Sequence, residues 1–222
     1  MLKKNRPNSA LIVVDVQNDF CPGGALAVAG GNEIVPLVNG LIDSFDHVIL
    51  TQDWHPAGHS SFASSHPGQS PFSSITMPYG PQTLWPDHCV QGTAGAEFHR
   101  DLRWTKAETI IRKGFRKPID SYSAFYENDR KTPTGLAGYL RERALTNLII
   151  VGLATDYCVA YTALDAAEHD FAVTVLLDGC RAIDLQGSLA EAQKQMRAAG
   201  VTLGKATELA AYAPTSRRPT PT

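Results

Sequence analysis

The chain has little that would carry it into a membrane or onto a polyanion. Nowhere in its 222 residues does an apolar run approach the roughly 18–20 residues a membrane span needs. The first run, Ala10 to Val14, stops at Asp15, too short for the apolar region of a secretory signal despite the basic residues before it. Twenty lysines and arginines against 22 aspartates and glutamates leave a formal charge of −2. That balance offers no footprint for nucleic acid or an anionic lipid surface. Cysteine is scarce: Cys21, Cys89, Cys158 and Cys180 stand far apart, with no CxxC pair. They read as thiols in a reducing cytoplasm and not as a disulfide framework. Internal repeats are lacking too. The 43% hydrophobic content supports a sizeable core and excludes wholesale disorder.

What is present is an alternation of short apolar runs with helix-period segments. Ala10–Val14, Val48–Thr51, Thr109–Ile111, Leu148–Val151 and Ala172–Leu177 read as buried strands, with Val201–Gly204 as a sixth. Helices are expected over Glu33–Ser44, Gly135–Arg143, Asp156–Glu168 and Leu185–Ala199, with a short one ending at Tyr212. Asn32 and Thr155 are the expected N-caps, Pro36 falls in a first turn, and Gly200 is a C-terminal stop. Strands alternating with helices imply right-handed crossovers and a parallel sheet covered on both faces. The expectation is therefore one α/β domain over residues 1–222, its core about 10–212 and its Pro/Thr/Arg-rich tail 213–222 frayed.

One stretch, Asp53 to about Lys106, has little periodicity and crowds Pro, Gly, Ser, His and Trp together. A loop of that length in a compact domain is either a missed element or a functional insertion. Open α/β sheets bind ligands beyond the carboxyl ends of their strands. Asp15, Asp53, Lys113, Cys158 and Asp178 all fall at or just past such ends.

Two constellations carry chemistry. Asp53 and His55 stand two apart on an extended segment, so their side chains share a side and suit a borderline cation such as zinc, iron or manganese. His59, Ser61, His66, His88, Cys89 and His99 follow within reach, and spacing does not choose among them. Cys158 falls in the first turn of the helix after the fourth run, where the dipole and free amides favour a thiolate and could hold an oxyanion. Asp15 and Lys113 can supply the proton acceptor and the charge such a nucleophile needs. A lone cysteine is more often a small buried hydrophobe, the reading that stands for Cys21, Cys89 and Cys180.

Five segments taken together resemble the bacterial nicotinamidases (pyrazinamidases) of the isochorismatase-like cysteine hydrolases. They are Asp15–Cys21, Gln52–Pro56, Trp85–Gln91, Lys113-Gly114 and Gly152–Val159. The likeness runs from about Ala10 to Tyr212. It implies a Rossmann-like, six-stranded parallel sheet flanked by helices, and hydrolysis of nicotinamide, with pyrazinamide as a further substrate, in NAD salvage. It implies a triad of Asp15, Lys113 and Cys158, and one divalent metal per chain (zinc first, iron or manganese otherwise) on Asp53, His55 and His88. A further ligand position falls on Ser61, as a weak or water-mediated contact. It also implies a cis Leu153–Ala154 peptide, an oxyanion hole from the Ala154 and Cys158 amides, and a substrate ring among Phe20, Trp85, Tyr122 and Tyr157. The partner is then a small molecule, with neither nucleic acid nor membrane. A homodimer is compatible with such a fold, although no apolar stripe marks an interface.

Three rivals remain: a hydrolase of the same superfamily acting on another amide or on a vinyl ether, a non-catalytic metal-binding scaffold, and a thiol-redox protein. The vinyl ether chemistry needs no cysteine nucleophile, a scaffold needs no Asp/Lys/Cys set, and redox work needs a resolving cysteine near Cys158.

Overall fold

The computed structural model describes residues 8–209. Strand β1 (Ser9–Val14) is buried along its whole length, as expected of an apolar run with neighbours on both edges and helices above and below. It pairs in parallel with β2 (His47–Asp53) on one side. Outside the main sheet, β3 (Ser74–Met77) and β4 (Gly80–Thr83) form an antiparallel hairpin. The sheet is completed by β5 (Thr109–Lys113), β6 (Asn147–Leu153), β7 (Ala172–Arg181) and β8 (Thr202–Gly204). The order is β5-β2-β1-β6-β7-β8, all parallel.

Successive side chains of β1 enter opposite cores. Leu11 and Val13 pack with Val38, Leu41 and Ile42 of helix α1 (Val35–Ser44). Ala10, Ile12 and Val14 pack with α2 (Leu136–Glu142), α3 (Ala160–Glu168) and α4 (Ser188–Ala198). The six expected strands and four expected longer helices are thus present, and the sheet is covered on both faces. Gly152 sits at φ +127°, where a Cβ would run into the Val14 carbonyl of the neighbouring strand, so glycine lets β1 and β6 meet.

Several local expectations need correction. Asn32 lies inside a 3-10 turn, Gly31–Ile34, and α1 begins after Ile34 with no side-chain cap. Thr155 is not a cap either: Thr155–Val159 forms a π turn ahead of α3, and the cap position is Ala154. The segment Leu185–Ala199 breaks at Gln186 (φ 53°), leaving a 3-10 turn before α4. The β3–β4 hairpin was not foreseen. A 3-10 turn, Ala206–Glu208, follows β8; the expected helix end at Tyr212 and the tail 213–222 lie outside the described residues.

No described helix is long and apolar enough to cross a membrane.

Candidate active site

The chain order reverses between β1, which leads outward to β2, and β6, which leads the other way to β7. That reversal opens a crevice beyond the strand ends, and the chemistry-bearing residues collect there. Asp15 follows β1, Asp53 ends β2, Lys113 ends β5, and Cys158 lies in the π turn after β6.

Lys113 is the centre of the first cluster, 1% exposed. Its Nζ lies 2.8 Å from Asp15 Oδ2 and 2.5 Å from Asp53 Oδ1, and it donates to Cys158 Sγ at 3.2 Å and to the Ser121 carbonyl at 3.1 Å. Asp15 is held from its other side by the Thr51 hydroxyl, which donates to Oδ1 at 2.6 Å. Burial pulls the Lys113 ammonium down, but Asp15 and Asp53 more than offset it and hold the group well above its usual value. Burial raises Asp15 despite Lys113. The same burial pushes the Cys158 thiol well up, only partly opposed by Lys113. Desolvation thus opposes the thiolate that the turn's dipole favours.

The turn that carries Cys158 is pinned by its neighbour. Asp156 accepts the Ile183 and Asp184 amides at 3.0 and 2.8 Å and the Ser188 hydroxyl at 2.5 Å. The Ala154 carbonyl accepts the amides of Tyr157 and Val159 at 3.2 and 3.1 Å, passing over Cys158 between them. The Leu153–Ala154 peptide is cis, as the resemblance implies.

Beside this cluster lies a carboxylate–imidazole cradle. His55 donates from Nδ1 to the Gly114 carbonyl at 2.9 Å, and His88 from Nδ1 to the Pro86 carbonyl at 2.8 Å. Each imidazole thus turns an Nε2 lone pair inward, 3.6 and 3.7 Å from Asp53 Oδ2. These gaps are too long for hydrogen bonds and are of the size that an ion held between the three donor atoms would fill. Gln17 fixes Asp53 at the backbone, accepting its amide and donating to its carbonyl, both at 2.8 Å. Gly114 has φ +65°, and a Cβ there would run into the His55 ring. Burial lowers His55, but Asp53 and Asp120 outweigh it and raise the imidazole; the site draws positive charge. The residues present fit a divalent metal ion.

Two other groupings of donor atoms exist among the described residues: His55 with His59 and Asp120, and Asp15 with Asp53 and Cys158. The second surrounds Lys113 Nζ, which already supplies the cation. In the first, His59 Nε2 faces the Arg116 and Ile119 carbonyls at 3.0 and 3.2 Å and must donate. Its Nδ1 accepts from Ser61 Oγ at 2.7 Å, so neither nitrogen is open to an ion. Ser61, fully buried, keeps its oxygen lone pairs. Of the other candidates, His66 bonds the Ser60 carbonyl, His99 lines a separate surface groove, and Cys89 is buried with its thiol pushed well up by desolvation. Asp178 is not brought to the site; it accepts the Ala206 amide at 3.0 Å.

The crevice over both clusters is narrow, with a cavity volume of about 20 Å³. Phe20, Trp85, Tyr122, Tyr157, Ala154 and Cys158 all line it, the aromatic and nucleophile-turn set expected from the sequence. The aromatics meet edge to face: Trp85 with Tyr157 at 4.9 Å, Tyr122 with Tyr157 at 5.6 Å, and Phe20 with the His88 ring at 5.5 Å. Asp120, Leu26 and Ile183 also line the crevice and were not anticipated. Nor was Gln82, whose Nε2 donates to Asp120 Oδ2 and to the Tyr122 hydroxyl, both at 2.9 Å.

Fold and site together define an open α/β protein whose crevice sets a buried Asp–Lys–Cys cluster against a carboxylate–imidazole metal cradle. The model of the Isochorismatase domain matches residues 9–208, and the chain belongs to that family. It is 58% identical over 198 residues to the nicotinamidase of Acinetobacter baylyi, covering 89% of this chain and 92% of that protein. A solved nicotinamidase/pyrazinamidase of Acinetobacter baumanii superposes with a TM-score of 0.90 at 55% identity, covering 91% and 98% of the two chains. The pyrazinamidase of Pyrococcus horikoshii in complex with zinc gives a TM-score of 0.73 at 38% identity, covering 90% and 99%.

Proposed function

We infer that the chain is a nicotinamidase, a cysteine amidase that hydrolyses nicotinamide to nicotinate and ammonia through a thioester and accepts pyrazinamide as well, serving NAD salvage. The observation that carries the reading is the contact of Lys113 with both Asp15 and Cys158 at the edge of the Asp53/His55/His88 cradle. The relatives named above support the same substrate.

Asp15 takes the proton of the Cys158 thiol while Lys113 stabilises the ionised pair. Sγ attacks the carboxamide carbon, and the oxygen that gains charge rests on the Ala154 and Cys158 amides. Asp15 returns the proton to the departing nitrogen, ammonia leaves, and the acyl group remains on Sγ. Asp15 then takes a proton from an attacking water, and collapse releases nicotinate and restores the thiol. The raised Asp15 suits it to both directions of transfer. Phe20, Trp85, Tyr122 and Tyr157 hold the ring and exclude water. Asp53, His55 and His88, with Ser61 as a weaker neighbour, would hold a divalent ion, zinc in our reading, which supplies a Lewis-acidic point for anchoring and polarising a heteroaromatic ligand.

The deciding experiment is ammonia release from nicotinamide by purified, zinc-loaded protein, with Cys158→Ala as control. Release that vanishes in the variant is expected; release that persists removes the covalent step, and none from the parent removes the assignment. We place the enzyme in the cytoplasm, in keeping with four free thiols. Light scattering tests the homodimer.

A further inference from the structure

No lysine or arginine among the described residues pairs with Asp120. It is 2% exposed on the connection after β5 and lines the crevice alongside Asp53, His88 and Cys158. Oδ1 accepts the Ser121 amide at 2.8 Å and Oδ2 accepts Gln82 Nε2 at 2.9 Å. Both donors are neutral. A His59 ring nitrogen comes within 4.8 Å of the carboxylate, and His55 Nε2 lies 4.0 Å from Asp120 Oδ1. That nitrogen is also the one turned toward Asp53, since Nδ1 is committed to Gly114. His59, the imidazole packed 4.4 Å from the His55 ring, cannot answer the charge, because both its nitrogens are already engaged.

The burial is deliberate in its construction. Gln82 donates to Asp120 and Tyr122, and its own Oε1 accepts from the Tyr79 hydroxyl at 3.1 Å and Asn128 Nδ2 at 3.2 Å. Those donors fix which end of the amide faces Asp120. The hairpin β3–β4 thus presents an N–H to the carboxylate and leaves its charge in place. A buried carboxylate without a cation is costly. Asp15 and Asp53 share Lys113 while Asp120 meets only an imidazole, so three carboxylates stand against one ammonium, and the two in excess are the number a dication would balance.

We propose that Asp120 is a positioning residue for the metal ion, a carboxylate set beside the donor atoms whose charge completes the neutralisation of a dication and raises the site's affinity for it. The inference rests on the metal reading given above, and the test separates the two. Metal-free parent, Asp120→Asn and Asp120→Glu are titrated with Zn²⁺ in competition with a chromophoric chelator, and the metal-free melting temperatures are recorded alongside. Outer partners of metal ligands typically control affinity by about 10–100-fold, so Asp120→Asn should bind that much more weakly, with Asp120→Glu within about threefold of the parent. Asp120→Asn within twofold of the parent overturns the proposal. So does Asp120→Glu falling as far as Asp120→Asn, which would mark a role in packing. If the parent itself binds no zinc, it is the metal reading that fails. Should Asp120→Asn not fold, Asp120→Ser carries the same expectation.

Discussion

Lys113 Nζ lies 3.2 Å from Cys158 Sγ while it also grips Asp15 and Asp53. One ammonium therefore ties together the ends of β1, β2 and β5 and the turn after β6. Its position is structural and electrostatic at once: it stands between two carboxylates and places positive charge beside the sulfur.

Replacing Lys113 by Met would leave Asp15 and Asp53 buried with no cation between them. Removing one partner of a buried ion pair costs about 3–5 kcal/mol, and urea denaturation should show a loss of that order together with loss of turnover. A change of under about 1 kcal/mol would mean that the carboxylates are compensated by some other group.

The pH dependence of kcat/KM follows from Asp15. Its carboxyl is raised from 3.8 by burial, with Lys113 opposing. The basic, ionised form is the one that accepts the thiol proton, so activity is present above the raised pKa and is lost as pH falls through it. An acid limb centred above 3.8 is expected; a profile flat down to that value would take the role of base away from Asp15.

Asp156 fixes the nucleophile's turn through three accepted hydrogen bonds. Asp156→Ala orphans two amides, and thermal denaturation should register a loss of about 2–3 kcal/mol. Zinc content should be unaltered while kcat drops, because the cradle is built from β2 and the loop bearing His88. Equal loss of metal would show that the two clusters are mechanically one.

His88→Ala removes one of three inward-facing donor atoms and leaves the triad residues in place. Metal per chain, read by elemental analysis after dialysis against limiting zinc, should fall well below that of the parent. Full retention would exclude His88 from the cradle.

The centre of the sheet was legible because β1, β2 and β6 are buried on both faces and so read as unbroken apolar runs. The same rule truncated the strands where they matter. β2 runs on through Gln52 and Asp53, β5 through Arg112 and Lys113, and β7 to Arg181; the terminal Asp53 and Lys113 meet in the site. The π turn at Thr155–Val159 has no sequence mark separating it from an ordinary helix start. β3 and β4 are four residues each, with Gly80 and Pro81 in the second, too short for periodicity to show. The triad and the cradle were read through matching segments. Asp120 and Gln82 were not, since their partnership joins residues 38 apart and neither stands in a quoted motif.

The hairpin has a consequence for how such a catalyst can diversify. β3 and β4 hydrogen-bond to each other and not to the main sheet, yet through Gln82 they set the Tyr122 wall of the crevice. Asp15, Lys113 and Cys158 hang instead from β1, β5 and the turn after β6. The hairpin therefore reaches the crevice through its contacts with Tyr122 and Asp120. Lengthening or exchanging it would reshape that wall and disturb the Asp120 carboxylate together, while β1 and β5 keep Asp15 and Lys113 in place.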